Sequence, residues 1–406
     1  MNLKNILYIE SNLDGTVGGS HHSLFFLVKY INRNRYQPIV LFYQENMMVP
    51  DFKNICEVYF FKQNHVFTIE KDFPGLYKMI NRGNYIKKPF LLCQKAHNLL
   101  FCYIPNLINI YRFIKKHGID LIHVNNYPSL TDWLIISKLL NVKIVSHLRG
   151  FYYISKFEKI LVKFYDKVIS TSNWVTYQMK EQNISCKNVV LIHNGIDVDA
   201  VKIDTDLSEN ILTELNITDK SPVIGVIGNI RKWKGQHVAI EAMKLLIDKY
   251  KNIRCIIVGS ISNSPNDTEY LKYLNELILK YNLEKYVLFT GFRKDIYNII
   301  NSLDIIVHTS ILPEPFGRVL LEGMILRKPV IATNQGGPLE IIEDGVSGLL
   351  VPPENPKLLS DKISFLVENK HISKTMGENA RRRIEEKFSI ERNVKEIEDV
   401  YLNLLK

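Results

Sequence analysis

Asp304-Ile-Ile-Val-His308, followed by Pro313-Glu-Pro-Phe-Gly-Arg-Val-Leu-Leu-Glu-Gly323, is an apolar strand that passes through a polar loop into a helix start. A short run that is apolar at every position is buried on both faces, as in parallel sheets covered by helices. Pro315 suits a first helical turn, and Gly317 lets a ligand approach backbone N–H groups that lack an intrahelical partner. Such a helix end attracts anions. Taken as helix throughout, the eight steps from Glu314 to Glu322 span roughly 12 Å. Glycoside hydrolases hold their carboxyl pair only ~5 to 9.5 Å apart, around one bond. The two acids therefore suit the ends of an elongated ligand, and a sugar nucleotide has hydroxyls at both ends and a diphosphate between.

Outward from this segment the same strand pattern recurs. Apolar runs at residues 6–9, 39–43, 58–61, 121–124, 143–146, 167–170 and 189–192 alternate with helix-like stretches, and 223–227, 255–258, 287–289, 304–308, 330–332 and 348–351 repeat the scheme. This predicts an α/β protein of two doubly wound, Rossmann-like domains facing each other across a cleft. The expected boundaries are a first domain over 1–196, a linker over 197–220 and a second domain over 221–385. A helix over 386–406 is expected to pack back on the first domain.

Composition excludes several classes. A hydrophobic fraction of 46% and a charged fraction of 23% are those of a globular chain. Cys56, Cys93, Cys102, Cys186 and Cys255 are odd in number and contain no CxxC, which fits a reducing cytosol and no structural zinc. Residues 3–9 run into a polar loop without a signal-peptide cleavage pattern, so a cytoplasmic location is expected. No apolar run reaches the roughly 20 residues of a membrane span. Residues 1–196 carry 24 Lys/Arg against 12 Asp/Glu, and 197–406 carry 28 against 30. A basic first half points to an anionic membrane surface or a phosphorylated substrate. Nucleic acid is not expected, since no zinc finger, RNA-recognition signature or basic repeat is present.

Several loops fall at the carboxyl ends of strands, where ligands of such sheets bind. The loop Gly15 to His22 contains Gly18 and Gly19 and lacks the GxGxxG spacing of nicotinamide domains; it reads as a ligand loop or as a plain turn. Gly228-Asn-Ile-Arg-Lys-Trp-Lys-Gly235 places Arg231 and Lys234 where they could meet a departing diphosphate, or simply solvent. Gly336-Gly337 opens a helix and fits either an anion site or a tight connection, with Glu340 complementing the helix dipole. His147 follows a strand at a cleft edge. Asp197 and Asp199 form a DxD without a third ligand, which favours a structural reading over a metal site. Residues 90–116 fit either a buried helix pair broken near Pro105 or a helix lying on a membrane.

Together these residues resemble the retaining glycosyltransferases of family four, which share the GT-B fold. The resemblance covers nearly the whole chain and rests on the Gly18-Gly19 loop, Asn194-Gly195-Ile-Asp197, Lys234-Gly235, Gly291-Phe292, the E-x7-E from Glu314 to Glu322, and Gly336-Gly337. It implies that Glu314 contacts the donor sugar, that Phe316 and Gly317 offer backbone N–H groups, and that Glu322 holds the ribose. It also implies that Lys234 meets the diphosphate, that His147 lies near the sugar, and that Arg293 and its neighbours after Gly291-Phe292 line the base pocket. The family's basic residue after the glycine matching Gly228 is replaced here by Asn229, so Arg231 is expected to take its part. His21 stands where many relatives carry an acid, which leaves the acceptor open. No cofactor and no metal are implied. The expected activity is transfer from a nucleotide-sugar, preferably a UDP-sugar, to a glycan or lipid-linked acceptor in surface polysaccharide synthesis. An epimerase of the same fold and a catalytically silent sugar-nucleotide-binding partner are the alternatives.

Overall fold

The computed structural model describes residues 3–12, 17–62, 68–72, 75, 84–126, 131–150, 153–199, 201, 211–217, 222–262 and 264–406. Gly15, Thr16 and most of the expected linker (200, 202–210 and 218–220) lie outside the described residues.

One sheet has seven strands: β1 (Lys4–Glu10), β2 (Tyr36–Phe42), β3 (Glu57–Phe60), β4 (Ile119–Asn125), β5 (Lys143–Leu148), β6 (Lys167–Ser170) and β7 (Val189–Leu191), in the order β3-β2-β1-β4-β5-β6-β7. The other has six: β8 (Val223–Ile227), β9 (Arg254–Val258), β10 (Val287–Gly291), β11 (Ile305–His308), β12 (Val330–Thr333) and β13 (Leu349–Val351), in the order β10-β9-β8-β11-β12-β13. Pairing is parallel on both sides of β1 and on both sides of β8. Strand order reverses between β1 and β4 and between β8 and β11. Those reversals are the switch points where doubly wound sheets take their ligands.

Alternation along the strands builds the core of the second sheet. Ile224, Val226, Ile305 and Val307 enter one apolar layer, and Val223 and Ile306 enter the other. Both faces are thus covered, which is why these strands are apolar along most of their length.

The chain divides into two compact units, residues 1–170, 178–190 and 397–406, and residues 171–177 and 191–396. The passage to the second unit comes before the expected 196. Ile196 donates its N–H to Phe388 O and accepts from Ile390 N–H, each at 2.9 Å, and a Cβ on Gly195 would lie 2.7 Å from Ile390 Cα. The final helix, Ile390–Leu404, gives its end to the first unit. There Tyr401 is buried with its ring 5.7 Å from that of Tyr36.

Residues 90–116 differ from the expectation of a break at Pro105. Helices Asn84–Asn98 and Ile104–Lys116 are joined by a π-helical turn, Leu99–Tyr103, and Pro105 sits harmlessly in the first turn of the later helix.

Candidate active site

At the second switch point, Gly235 adopts φ 66°, and a Cβ on it would sit 2.1 Å from the Thr309 carbonyl oxygen. Glycine therefore lets the loops after β8 and β11 meet, which brings Lys234 to Glu314. Lys234 Nζ lies 2.5 Å from Glu314 Oε2 and 4.3 Å from the centre of the Trp233 ring. His308 Nε2 and Ser310 Oγ approach the same carboxylate oxygen at 3.2 and 3.3 Å. Burial pushes the Glu314 carboxyl up, but the Lys234 charge and the His308 hydrogen bond outweigh it and hold the group down at about 2. Glu314 is therefore ionised at neutral pH: it accepts hydrogen bonds from hydroxyls and has no proton to give as a general acid.

Residues 313–317 are not helical, contrary to the placement of Pro315 in a first turn. The helix is Arg318–Ile325, with Gly317 before it at φ 103° and ψ 57°, and the Pro315 carbonyl accepts from Ser172 Oγ at 2.6 Å. The cause is a backbone seam. Glu314 bridges Gly336, and Gly337 N–H donates to Glu314 O at 2.7 Å. Only part of the path from Glu314 to Glu322 is helix, so the separation of roughly 12 Å taken from helical rise loses its basis. Of the two readings of Gly336 and Gly337, the seam supports the tight connection. A Cβ would fall 2.3 Å from Glu314 O at Gly336 and 2.2 Å from Phe316 O at Gly337. They are packing glycines, and the Gly337 N–H is already engaged.

The Phe316 side chain is buried between His193 and Phe388, at ring distances of 5.9 and 6.1 Å. Its backbone N–H and that of Gly317 find no partner among the described residues. Two donors thus stand at a helix start, where the macrodipole is positive. Glu322, one helical turn on, is largely buried and receives Arg318 Nη2 at 3.4 Å. Burial raises its pKa despite that partner.

The remaining donor-side candidates separate. Arg231 keeps 39% of its side chain exposed, with Nε 3.6 Å from Asp267 Oδ2, and is not joined to the Lys234–Glu314 pair. Arg293 is held by Asp295 at 2.9 and 2.7 Å and by Glu214 at 2.6 Å, so its charge is already matched. Gly291 has φ 68° with open space where a Cβ would stand, and Phe292 beside it is exposed. Glu340 does more than complement its own helix. It accepts from the N–H groups of Asn173 and Trp174 at 3.0 and 3.3 Å and from His193 Nε2 at 2.8 Å, which caps the helix Asn173–Glu181. Sequence reasoning missed His308 and Ser310, although His308 ends a strand it had identified, and carboxyl ends of strands are where functional groups gather.

At the first switch point, β1 ends in buried Glu10, which accepts from Asn125 Nδ2 at 2.6 Å and Asn126 Nδ2 at 2.8 Å. Arg149 Nε donates to Asn125 Oδ1 at 2.9 Å. His147 was expected beyond a strand, at an edge. Instead it lies inside β5, fully buried, with Nδ1 3.2 Å from His123 Nε2; His123 Nδ1 is 2.5 Å from the Tyr401 hydroxyl, and Tyr401 donates to Tyr8 at 3.4 Å. Burial, helped by the Arg149 charge, lowers both histidines well below their ordinary 6.5, so both are neutral. A neutral ring has one proton, so the direction in which the Tyr401 hydroxyl points sets the nitrogen of His147 that carries hydrogen. His147 Nε2, at the end of this relay, has no partner among the described residues.

The first glycine loop also differs from a bare loop. Gly18 precedes the helix Gly19–Tyr30, and His21 is buried in its first turn with Nδ1 facing the Gly18 N–H at 3.4 Å. A Cβ on Gly18 would meet nothing within 4 Å, unlike those on Gly336 and Gly337. Among the described residues, no group of three His, Cys, Asp or Glu side chains could hold a metal. Asp197, from the DxD, is buried. No helix among the described residues is long and apolar enough to cross a membrane.

Two parallel, doubly wound units with polar side chains gathered at both switch points define a GT-B transferase fold. The chain belongs to the glycosyltransferases: the model described as Glycosyltransferase Family 4 matches residues 17–200, and that described as Glycosyl transferases group 1 matches residues 208–383. It is 27% identical over 270 residues to the capsular polysaccharide biosynthesis glycosyltransferase CapM of Staphylococcus aureus, covering 64% of this chain and 67% of that one. It is 27% identical over 302 residues to spore coat protein SA of Bacillus subtilis, covering 71% and 79%. The fold matches a glycosyltransferase from Rickettsia africae with a TM-score of 0.82 at 24% identity, covering 100% of both chains. It matches Anabaena HepE in complex with UDP-glucose at 0.79 and 23% identity, covering 98% of this chain and 99% of that one.

Proposed function

We propose that this glycosyltransferase moves a sugar from a UDP-sugar to a glycan or lipid-linked acceptor with retention of configuration and without a metal, in the building of a cell-surface polysaccharide at the cytoplasmic face of the membrane. The observation that carries the reading is the Lys234–Glu314 pair beside the unpartnered N–H groups of Phe316 and Gly317. This arrangement offers a cation and two dipoles to a diphosphate, and an ionised carboxylate to sugar hydroxyls. Complexes of Anabaena HepE with UDP and UDP-glucose support uridine as the donor base, and the CapM likeness supports a polysaccharide product.

The chemistry follows from charge placement. As the bond from the anomeric carbon to the diphosphate oxygen breaks, negative charge grows on the diphosphate, and Lys234 stabilises it, with Arg231 as second cation once it swings from Asp267. The acceptor hydroxyl attacks on the same face and passes its proton to the departing diphosphate oxygen. Glu314 holds the sugar and Glu322 the ribose, so positioning supplies much of the rate.

A panel of UDP-sugars with a polyprenyl-phosphate-linked acceptor tests this, with the product anomer read by NMR. The expected result is an anomer matching the donor, unchanged in EDTA, with UDP released only when acceptor is present. An inverted product, or abolition by EDTA, would overturn it; donor converted without acceptor would favour an epimerase.

A further inference from the structure

Between Leu92 and Ile108 the helical segment has its polarity inverted relative to water. The side facing the fold carries a row at spacing four, Asn98, Cys102, Asn106, Ile110 and Ile114, in which two buried positions are asparagines. The outward side shows Leu92, Leu99, Leu100, Phe101, Ile104 and Ile108, with Leu92 69% and Phe101 64% exposed. A helix that buries amides and exposes leucines meets a second apolar medium outside the protein.

Charge states which medium. Residues 73–119 contain no Asp or Glu and eight Lys or Arg. Among these, Lys95 lies near the end of the first helix, and Lys115 and Lys116 end the second; the side chains of Lys87 and Lys88 lie outside the described residues. A protein partner or a second copy of this chain has no need of forty-seven residues without one acid. A lipid surface with anionic headgroups does: apolar side chains enter the acyl boundary, and long basic ones reach back to the phosphates. The same unit exposes another stripe, Tyr153, Phe157, Ile160 and Phe164, but there Glu158 and Asp166 are mixed with Lys156, Lys159 and Lys163, so that stripe is not free of acids as residues 73–119 are.

We propose that residues 89–116 are a docking surface for an anionic lipid bilayer, laid flat on the headgroups without spanning them. Docking is independent of the donor chemistry, so its test reads binding and not turnover.

The full chain is sedimented with vesicles of phosphatidylcholine mixed with phosphatidylglycerol, and with vesicles of phosphatidylcholine alone. Wild type is expected to bind the mixed vesicles and to release them as salt is raised. Leu100→Ser/Phe101→Ser is expected to lose binding about tenfold or more. Leu92→Ser/Ile108→Ser, on the flanking helices, should lose it comparably should the π-helical turn not tolerate the first pair. Phe157→Ser/Phe164→Ser should bind like wild type. Equal binding by wild type and both outward variants, preference for the uncharged vesicles, or loss only in the Phe157/Phe164 variant would each overturn the proposal. So would a lipid-free dimer of the wild type that the Leu100/Phe101 variant dissolves, since a second copy would then occupy the face.

Discussion

The two switch points hold opposite electrostatics in the same topological place. At the second, between β8 and β11, an acid is held ionised by a lysine at 2.5 Å and a histidine at 3.2 Å. At the first, between β1 and β4, two histidines beside Arg149 are held neutral by burial. The difference teaches a division of labour. One site holds fixed opposite charges side by side, and the other holds neutral imidazoles whose tautomers are set by a hydrogen-bond relay.

The largest test removes the charge. Lys234→Ala and Glu314→Ala should each lower kcat by roughly 10² to 10³, measured with saturating donor and acceptor. A loss under about tenfold would mean the charge is structural, not functional. The ion pair itself should survive mild acid. The Glu314 pKa is depressed from 4.5 to about 2, so its stabilisation is full above 4.5 and is lost progressively as pH falls from there through about 2.

A smaller effect tests the neutral site. Tyr401→Phe removes the hydroxyl's hydrogen bonds to His123 and Tyr8; with the His123 bond worth about 1 kcal/mol, kcat should drop roughly five- to tenfold with donor KM unchanged. In nitrogen-15 spectra of labelled histidine, His147 should pass from one tautomer to a mixture. Unchanged shifts would show that the relay does not set the proton.

The smallest effect concerns stability. Glu322 has a raised folded pKa, so its ionised form costs stability, and the wild type regains that stability as pH falls below the folded value. Glu322→Gln should therefore raise Tm by about 1 to 3 °C at neutral pH, with the gain fading in acid and donor KM increasing. A gain that persists undiminished in acid would assign it to packing.

These contrasts also explain what was readable in the sequence. The second site lies largely in one run of residues: Glu314, Phe316, Gly317 and Glu322 share a segment, so spacing alone exposed it. What spacing could not give was the seam between Glu314 and Gly336, because a backbone contact across twenty-two residues leaves no periodic mark. All thirteen strands among the described residues were visible, because each contains a short apolar run. The first site draws Glu10, His123, Asn125, His147 and Tyr401 from distant places, and buried polar residues on strands look like core when read singly. For residues 90–116 the sequence left burial and a membrane surface both open, because exposure belongs to the fold and an apolar helix cannot be placed until its neighbours are known.

The place of Tyr401 also bears on how the molecule is made. It bonds His123 across 278 residues and Tyr8 across 393. A ribosome finishes all seven strands of the first sheet long before it reaches that tyrosine. The second unit begins to emerge while the first still lacks part of its interior. The portion synthesised first is thus completed late, and a chain stalled before residue 401 would carry two built sheets and an unsealed hydrophobic core, open to chaperones and proteases alike.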